Sequence, residues 1–485
     1  MRILFSHIIL LSGGIFLLLV LFLHSNGLVS PENEIYACYS LLAIFVISCL
    51  ITAWHEINPF NFSFNDFYSK DSLMSAALSV LLVGSMFHQR VSIVFTGIFV
   101  AVALSYFLYN RKFYALNKAY WFLFLYAFLQ FVGTIGTQKG FHFPDSTLSF
   151  YLLPISFCFF NLKRETLLKI ARFFFRAMLI YTAVSIVYWW FNFLYLPISF
   201  DDWITGKFFF LSIPQSMQGL KDIGIVDLPA YYYVGGWSLY YNPTYTSMTL
   251  LFSFITGIYL YHKKKIPIYE VVVFTFLCFL VIALFESRVG ITSFLIIFFA
   301  SGVYWAKLRF RHIKSFLYVI AIPPIILLII SHDYILKFVD DPVRLIAYSL
   351  SFGYIKEHFW WGCGFQQEMI TLAQQAAAMS LPDQQLSHSH NQFVGETVKY
   401  GVWGFISITL MVGYFIFYSI KSRNYLLQMF LLIMILFMII EEPLSLQTGI
   451  TRFSVFLTFF VAVGEHKKKI IDIKELTKKK TIKKD

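Results

Sequence analysis

The chain has 485 residues, of which 58% are hydrophobic and 20% aromatic, while only 13% are charged. That charged share is about half the globular norm, and a soluble fold cannot bury so much apolar surface; the composition excludes a string of soluble domains and points to one polytopic membrane domain. The net charge of +12 does not indicate nucleic acid, because the basic residues fall in short clusters between apolar runs, as in cytoplasmic loops.

Spanning helices need about 20 apolar residues each. In chain order the apolar runs are 3–24, 35–54, 72–88, 91–109, 119–137, 147–160, 173–196, 243–261, 266–286, 289–306, 313–331, 391–420, 424–440 and 450–464. Several are short for a bilayer, so the fold class is all-α and polytopic with roughly 12–14 transmembrane helices. The first run follows Met1 and Arg2 with no small-residue cleavage site after it, and reads as a retained helix rather than a signal peptide.

The loop charges orient these spans. Basic residues follow the even-numbered runs: Arg111, Lys112 and Lys118; Lys163, Arg164, Lys169 and Arg172; Lys263 to Lys265; Lys307, Arg309, Arg311 and Lys314; Lys421 and Arg423; then the tail after Gly464. The other side carries Glu32 and Glu34, Asp145, Asp201 and Asp202, and Glu441 and Glu442. Both termini are therefore expected in the cytoplasm. Segment 55–71 fits least well, being cytoplasmic by count yet poor in basic charge.

The organisation expected is a set of N-terminal spans (1–196), an external aromatic loop (197–242), spans carrying Arg288 (243–331), a second long external loop (332–390), C-terminal spans (391–464) and a basic cytoplasmic tail (465–485). The two external loops should hold short helices, and the Ala-rich stretch 366–380, stopped by Pro382, reads as one. Their tyrosines and tryptophans suit either anchoring at the membrane interface or stacking on sugar rings. The cysteines at 38, 49, 158, 278 and 363 lack the spacing of a metal knuckle or redox pair and read as small core residues.

Three places on the outer side hold chemistry-bearing residues. Arg288, in Glu286-Ser287-Arg288-Val289-Gly290, sits between apolar runs, where an arginine is costly unless it snorkels, pairs with Glu286 or serves a function. Arg344 follows Asp340-Asp341-Pro342; it either bridges to one of those aspartates or offers a planar fork to a phosphate. Ser387-His388-Ser389-His390-Asn391 opens the next apolar run, where a histidine is suited to general-base work near neutral pH. No further ligand near the two histidines in sequence completes a metal site.

Taken in order, Ser287-Arg288-x-Gly290, Arg344, Trp361-Gly362-x-Gly364, and His390-Asn391 followed by Gly401 and Gly404 resemble the O-antigen ligase and O-antigen polymerase superfamily of bacterial membrane glycosyltransferases. The resemblance covers about 240–420 in detail and departs at one place: family members often carry an acidic residue five positions after the histidine, where this chain has Gly395, with Glu396 next. It implies a glycosyltransferase of the inner membrane, active at its outer face, with no cofactor and no metal. The donor would be a glycan on undecaprenyl diphosphate and the acceptor a sugar hydroxyl or lipid A–core. Arg288 and Arg344 would bind the diphosphate, His390 would act as general base and Asn391 would orient base or substrate. Polymerase is the favoured member and ligase the alternative. Membrane lipid and a chain-length regulator or other assembly protein are the further partners expected.

Two other classes compete. A lipid-linked oligosaccharide flippase should line its mid-membrane interior with polar groups, whereas here the charges gather at the outer ends of spans. A metal-dependent lipid-linked sugar transferase would use paired external acids, for which Glu32 and Glu34, Asp201-Asp202 and Asp340-Asp341 are candidates.

Overall fold

A computed structural model describes residues 34–56, 72–87, 89–134, 147–195, 236–238, 242–285, 287–309, 342–364, 367–378, 388–464 and 470–472. The expected spans 3–24 and 313–331, most of the 197–242 loop and of the basic tail, Glu32, Asp145, Asp201, Asp202, Glu286, Asp340, Asp341 and Ser387 lie outside the described residues.

The fold is all-α and polytopic. Its helices are α1 (Glu34–Glu56), α2 (Ser72–Gly84), α3 (Gln89–Asn110), α4 (Tyr120–Val132), α5 (Leu148–Ser156), α6 (Arg164–Tyr195), α7 (Pro243–His262), α8 (Ile268–Leu284), α9 (Arg288–Arg309), α10 (Pro342–Glu357), α11 (Glu368–Ala378), α12 (Gln392–Tyr400), α13 (Val402–Lys421), α14 (Tyr425–Ile440) and α15 (Gln447–Gly464). Among the described residues four segments are long and apolar enough to cross a bilayer, namely α3, Arg164–Trp189 of α6, α13 and α15. Six apolar stretches of 10–17 residues accompany them. Among the described residues, a short antiparallel pairing of β1 (Lys112–Tyr114) with β2 (Ile470–Asp472) departs from the helical pattern.

The chain divides into two compact units, residues 1–91 with 165–291, and 92–164 with 292–485. In the first, a buried ion network ties helix ends together. Arg176 of α6 grips Glu270 of α8 with both nitrogens of its fork, at 3.1 and 2.7 Å, and also pairs with Glu56 at the end of α1, as does Arg172. Lys265 meets Glu165 at 2.7 Å. The acidic end of α1 thus lies against Arg172 and Arg176 of α6. Trp237, from the aromatic loop, is fully buried against Phe45 and Tyr181, and its indole N–H donates to Ser185 Oγ at 3.0 Å. This aromatic is a core plug, neither an interfacial anchor nor a sugar platform.

The second unit is built around α15, whose phenylalanines pack against neighbouring helices: Phe453 against Phe150 of α5 and Phe430 of α14, and Phe460 against Phe430. By contrast α3 leaves Val94, Ile98 and Leu108 largely exposed, a surface suited to lipid rather than water. The expected single span 391–420 is two helices. At Gly401 the backbone turns to φ +64°, a region open mainly to glycine, and α12 ends there while α13 starts. The short, polar α12 therefore lies outside the long span, and it carries the site.

Candidate functional site

The site is assembled in the second unit by α10, α11, α12 and the end of α14. Arg344 and Tyr348 are four residues apart on α10 and so share one face. An adjacent face sends Ala347 and Leu350 against Leu372 and Ala376 of α11, which fixes the helix. Tyr348 Oη lies 3.5 Å from the carbonyl of His390. Arg344 Nη2 donates to Glu441 Oε1 at 3.0 Å, and the other oxygen of that carboxylate lies 3.5 Å from His390 Nδ1. The three side chains are 20–26% exposed, so a ligand can reach them. The described structure thus brings Arg344 and His390 to one carboxylate, that of Glu441.

His390 sits at φ +52°, which costs a branched or bulky residue about 1–2 kcal/mol and persists only where neighbours impose it. Here they do. Ser389 is fully buried; its hydroxyl donates to Glu442 Oε1, with the Asn391 carbonyl 3.1 Å from the same hydroxyl oxygen, and its N–H donates to Glu368 Oε1 at 3.3 Å. The Asn391 side chain caps α12, accepting from the N–H groups of Phe393 and Val394 at 3.0 and 3.2 Å, and its amide donates to the Ile439 carbonyl at 2.9 Å. Asn391 therefore positions the histidine loop by capping, with both ends of its amide engaged.

Beneath this loop lies a layer the sequence reading did not foresee. Lys399, on α12, is buried among Glu368 of α11 at 2.9 Å, Glu442 at 3.2 Å and Glu396 at 3.6 Å. Three carboxylates around one ammonium leave an excess of negative charge in a dry place, and low dielectric makes that excess costly. Burial raises the Glu368 carboxyl to about 8, Glu442 adding to the effect. Burial would raise Glu442 too, yet Lys399 and the hydrogen bond from Ser389 hold it down at about 2. Glu368 lies nearer the ammonium, but Glu442 also accepts from Ser445 at 2.8 Å; Glu442 keeps the charge and Glu368 takes the proton. Burial also lowers His388.

Glu368, His388 and Glu442 could present ligand atoms to a metal, all within 4.8 Å of one another. The Lys399 ammonium already sits against both carboxylates, so a divalent cation would have to displace it. The geometry favours a resident ammonium.

The glycines of the motifs have tasks of their own. Cys363 and Gly364 donate N–H groups to the Val398 and Lys399 carbonyls at 2.9 and 2.8 Å, so the Trp361-Gly362-x-Gly364 turn closes the C-terminal end of α12; a Cβ on Gly362 would strike those same carbonyls. A Cβ on Gly395 would meet Glu442 Oε2 at 2.6 Å. The carboxylate of Glu442 thus occupies the space where a side chain at 395 would start, at the position where the family pattern has an acid.

Arg288 belongs to the first unit and opens α9. Ser287 Oγ accepts from the Gly290 N–H at 3.2 Å as a helix cap, and a Cβ on Gly290 would crowd Ser247 of α7 and Ile282 of α8 at 2.8 and 2.9 Å. The Ser-Arg-x-Gly motif is a capped, closely packed helix start that holds a half-buried arginine.

Sequence reasoning missed Glu368, Lys399, Glu441 and Glu442 as site residues. The available signals were a lysine inside a helix read as membrane, and the Glu441-Glu442-Pro443 step between two apolar runs, taken only as loop charge. A search of curated proteins returns no match. Residues 273–409 match the family model described as O-antigen ligase. That match bears out the resemblance carried by the motifs over those residues.

Proposed function

We propose that this protein is an O-antigen polymerase-type glycosyltransferase that takes a glycan from undecaprenyl diphosphate and transfers it to a sugar hydroxyl at the outer, periplasmic face of the inner membrane. The observation that carries the proposal is the pairing of Arg344 and His390, both inside the stretch that matches the O-antigen ligase family, through Glu441 from beyond it. An arginine fork suits a diphosphate, whose charge grows as the glycosidic bond breaks, and such contacts strengthen in a water-poor site. His390 Nδ1 lies toward Glu441, which leaves Nε2 to take the proton of the attacking acceptor hydroxyl. The new bond forms at the anomeric carbon, the bond to the diphosphate oxygen breaks, the electron pair leaves with the diphosphate, and the proton goes to His390. A single displacement of this kind inverts the anomeric centre. Arg288 is a second candidate contact for the diphosphate on the strength of its motif alone. The exposed Trp360 and Trp361, 61% and 74% accessible, are candidates for stacking on sugar rings.

Metal independence is part of the proposal, supported by the Lys399 ammonium among the carboxylates. Transfer by membranes washed with a chelator should match untreated membranes; loss restored by a divalent cation would move the chemistry to Glu368, His388 and Glu442. The function itself is tested by the glycan ladder of a deletion strain with and without the gene. Single repeat units on the acceptor without the protein, and long chains with it, identify a polymerase. Long glycan stranded on the lipid carrier identifies the ligase alternative. Loss of the whole ladder without the protein, with lipid-linked donor trapped on the inner face, would identify a flippase.

A further inference from the structure

The position of Glu441 carries a role that goes beyond the two residues it joins. Its backbone is fixed by the end of α14, its N–H donating to the Phe437 carbonyl at 2.7 Å, so the carboxylate is delivered to a set place. One oxygen lies at the Arg344 guanidinium and the other at His390 Nδ1. Arg344 is the group read above as the diphosphate contact, and it holds a carboxylate in the described structure.

We propose that Glu441 is a resident anion that occupies Arg344 until the donor diphosphate displaces it and then serves His390. This inference rests on the reading of Arg344 as the diphosphate contact. Two anions cannot share the Arg344 fork without repulsion, so a diphosphate arriving there competes with Glu441 Oε1. Once released, the carboxylate remains beside His390 with less positive charge to neutralise it. It then orients the ring through Nδ1 and stabilises the imidazolium that forms as the acceptor proton arrives. Donor binding would thus be coupled to activation of the base, and in the empty site the carboxylate would bridge the guanidinium and the imidazole. Glu441 is a positioning residue: it acts through Arg344 and His390.

The test uses the purified full-length protein and geranyl diphosphate as the probe. Replacing Glu441 by glutamine removes the competing charge, so Glu441→Gln should bind geranyl diphosphate more tightly than wild type, by roughly threefold, the scale of a partly exposed ion pair. The same variant, produced at wild-type level in the deletion strain, should make far less long glycan, by about a hundredfold if base orientation is lost. A merely structural role for Glu441 would weaken both. Glu441→Asp, which draws the carboxylate back by one methylene, is read by the same signs if the glutamine variant does not accumulate. Unchanged or weaker binding by these variants, alongside clear loss of binding in Arg344→Ala, overturns the role of Glu441 and leaves Arg344 as the diphosphate contact. Binding by Arg344→Ala equal to wild type overturns the reading of Arg344 and this inference with it.

Discussion

Glu441 and Glu442 are neighbours in sequence, yet each joins a different set of partners and a different layer of the site. Glu441 meets Arg344 and His390 at the accessible surface, while Glu442 is buried with Lys399, Ser389 and Ser445. The buried layer has a signature in pH. Glu368, with its carboxyl raised from 4.5 to about 8, holds a proton in the folded state that the unfolded chain has released across that window. Its contribution to stability therefore falls as pH rises from about 4.5 and is fully lost above 8. Glu442 has the opposite sign, since a depressed carboxyl stabilises the fold above its unfolded value and loses that contribution on acidification toward about 2. Glu368→Gln, which mimics the protonated acid, should fold normally and flatten the loss of thermal stability between pH 6 and 9. Glu442→Gln leaves the Lys399 ammonium short of its charged partner and should destabilise by roughly 3 kcal/mol or more; thermal unfolding of the two variants across pH checks both. At this scale the sequence singles out Arg288, Arg344 and His390, because each is conspicuous beside apolar runs, and the structure brings Arg344 and His390 to one carboxylate. The sequence did not show Lys399 or the three glutamates, because their meaning lies in a convergence of α11, α12 and the end of α14 that no local spacing encodes.

The elements show where hydropathy succeeds and where it misleads. The Ala-rich helix expected over 366–380 is α11, its start marked by Glu368 and its end lying before Pro382. Helix α10 was read as loop because its apolar residues are divided between a face packed on α11 and a face that holds Arg344 and Tyr348, so no continuous greasy run marks it. The run 391–420 reads as one span because apolar content continues through Gly401, while the break depends on backbone geometry. Gly401 combines φ +64° with the approach of the Phe359 carbonyl, 2.8 Å from where a Cβ would be, and closer contact with Trp360. Gly401→Ala should therefore cost about 1–3 kcal/mol from backbone strain alone and misplace α12 against the Trp361-Gly362-x-Gly364 turn. The check is a lowered unfolding temperature together with lost transfer activity, whereas Gly413→Ala, where a Cβ would meet nothing within 4 Å, should leave both near wild type.

For the whole molecule, composition alone established an all-helical membrane protein, because 58% hydrophobic residues with 13% charged leave no other solvent than lipid. Helix lengths were less legible. Runs written as full spans include α4, of 13 residues, and α14, of 16, or about 20–24 Å at 1.5 Å per residue, shorter than a bilayer core of about 30 Å. Loop charge gave a consistent order of sides, and the Glu56–Arg172–Arg176–Glu270 network sets the acidic end of α1 against basic residues of α6. The family match from 273 to 409 covers Arg288, Arg344 and His390 but stops before Glu441 and Glu442, so the acids that complete the site in space come from beyond it.

The central claim is that Arg344 and His390 form one transferase site, and the most direct measurement is glycan transfer by His390→Ala and Arg344→Lys at expression matched to wild type in the deletion strain. Both should lose most long glycan: the first removes the base, and the second keeps the charge but not the planar fork. Full-length glycan at wild-type level from His390→Ala would contradict the account and return the chemistry to the buried carboxylates around Lys399.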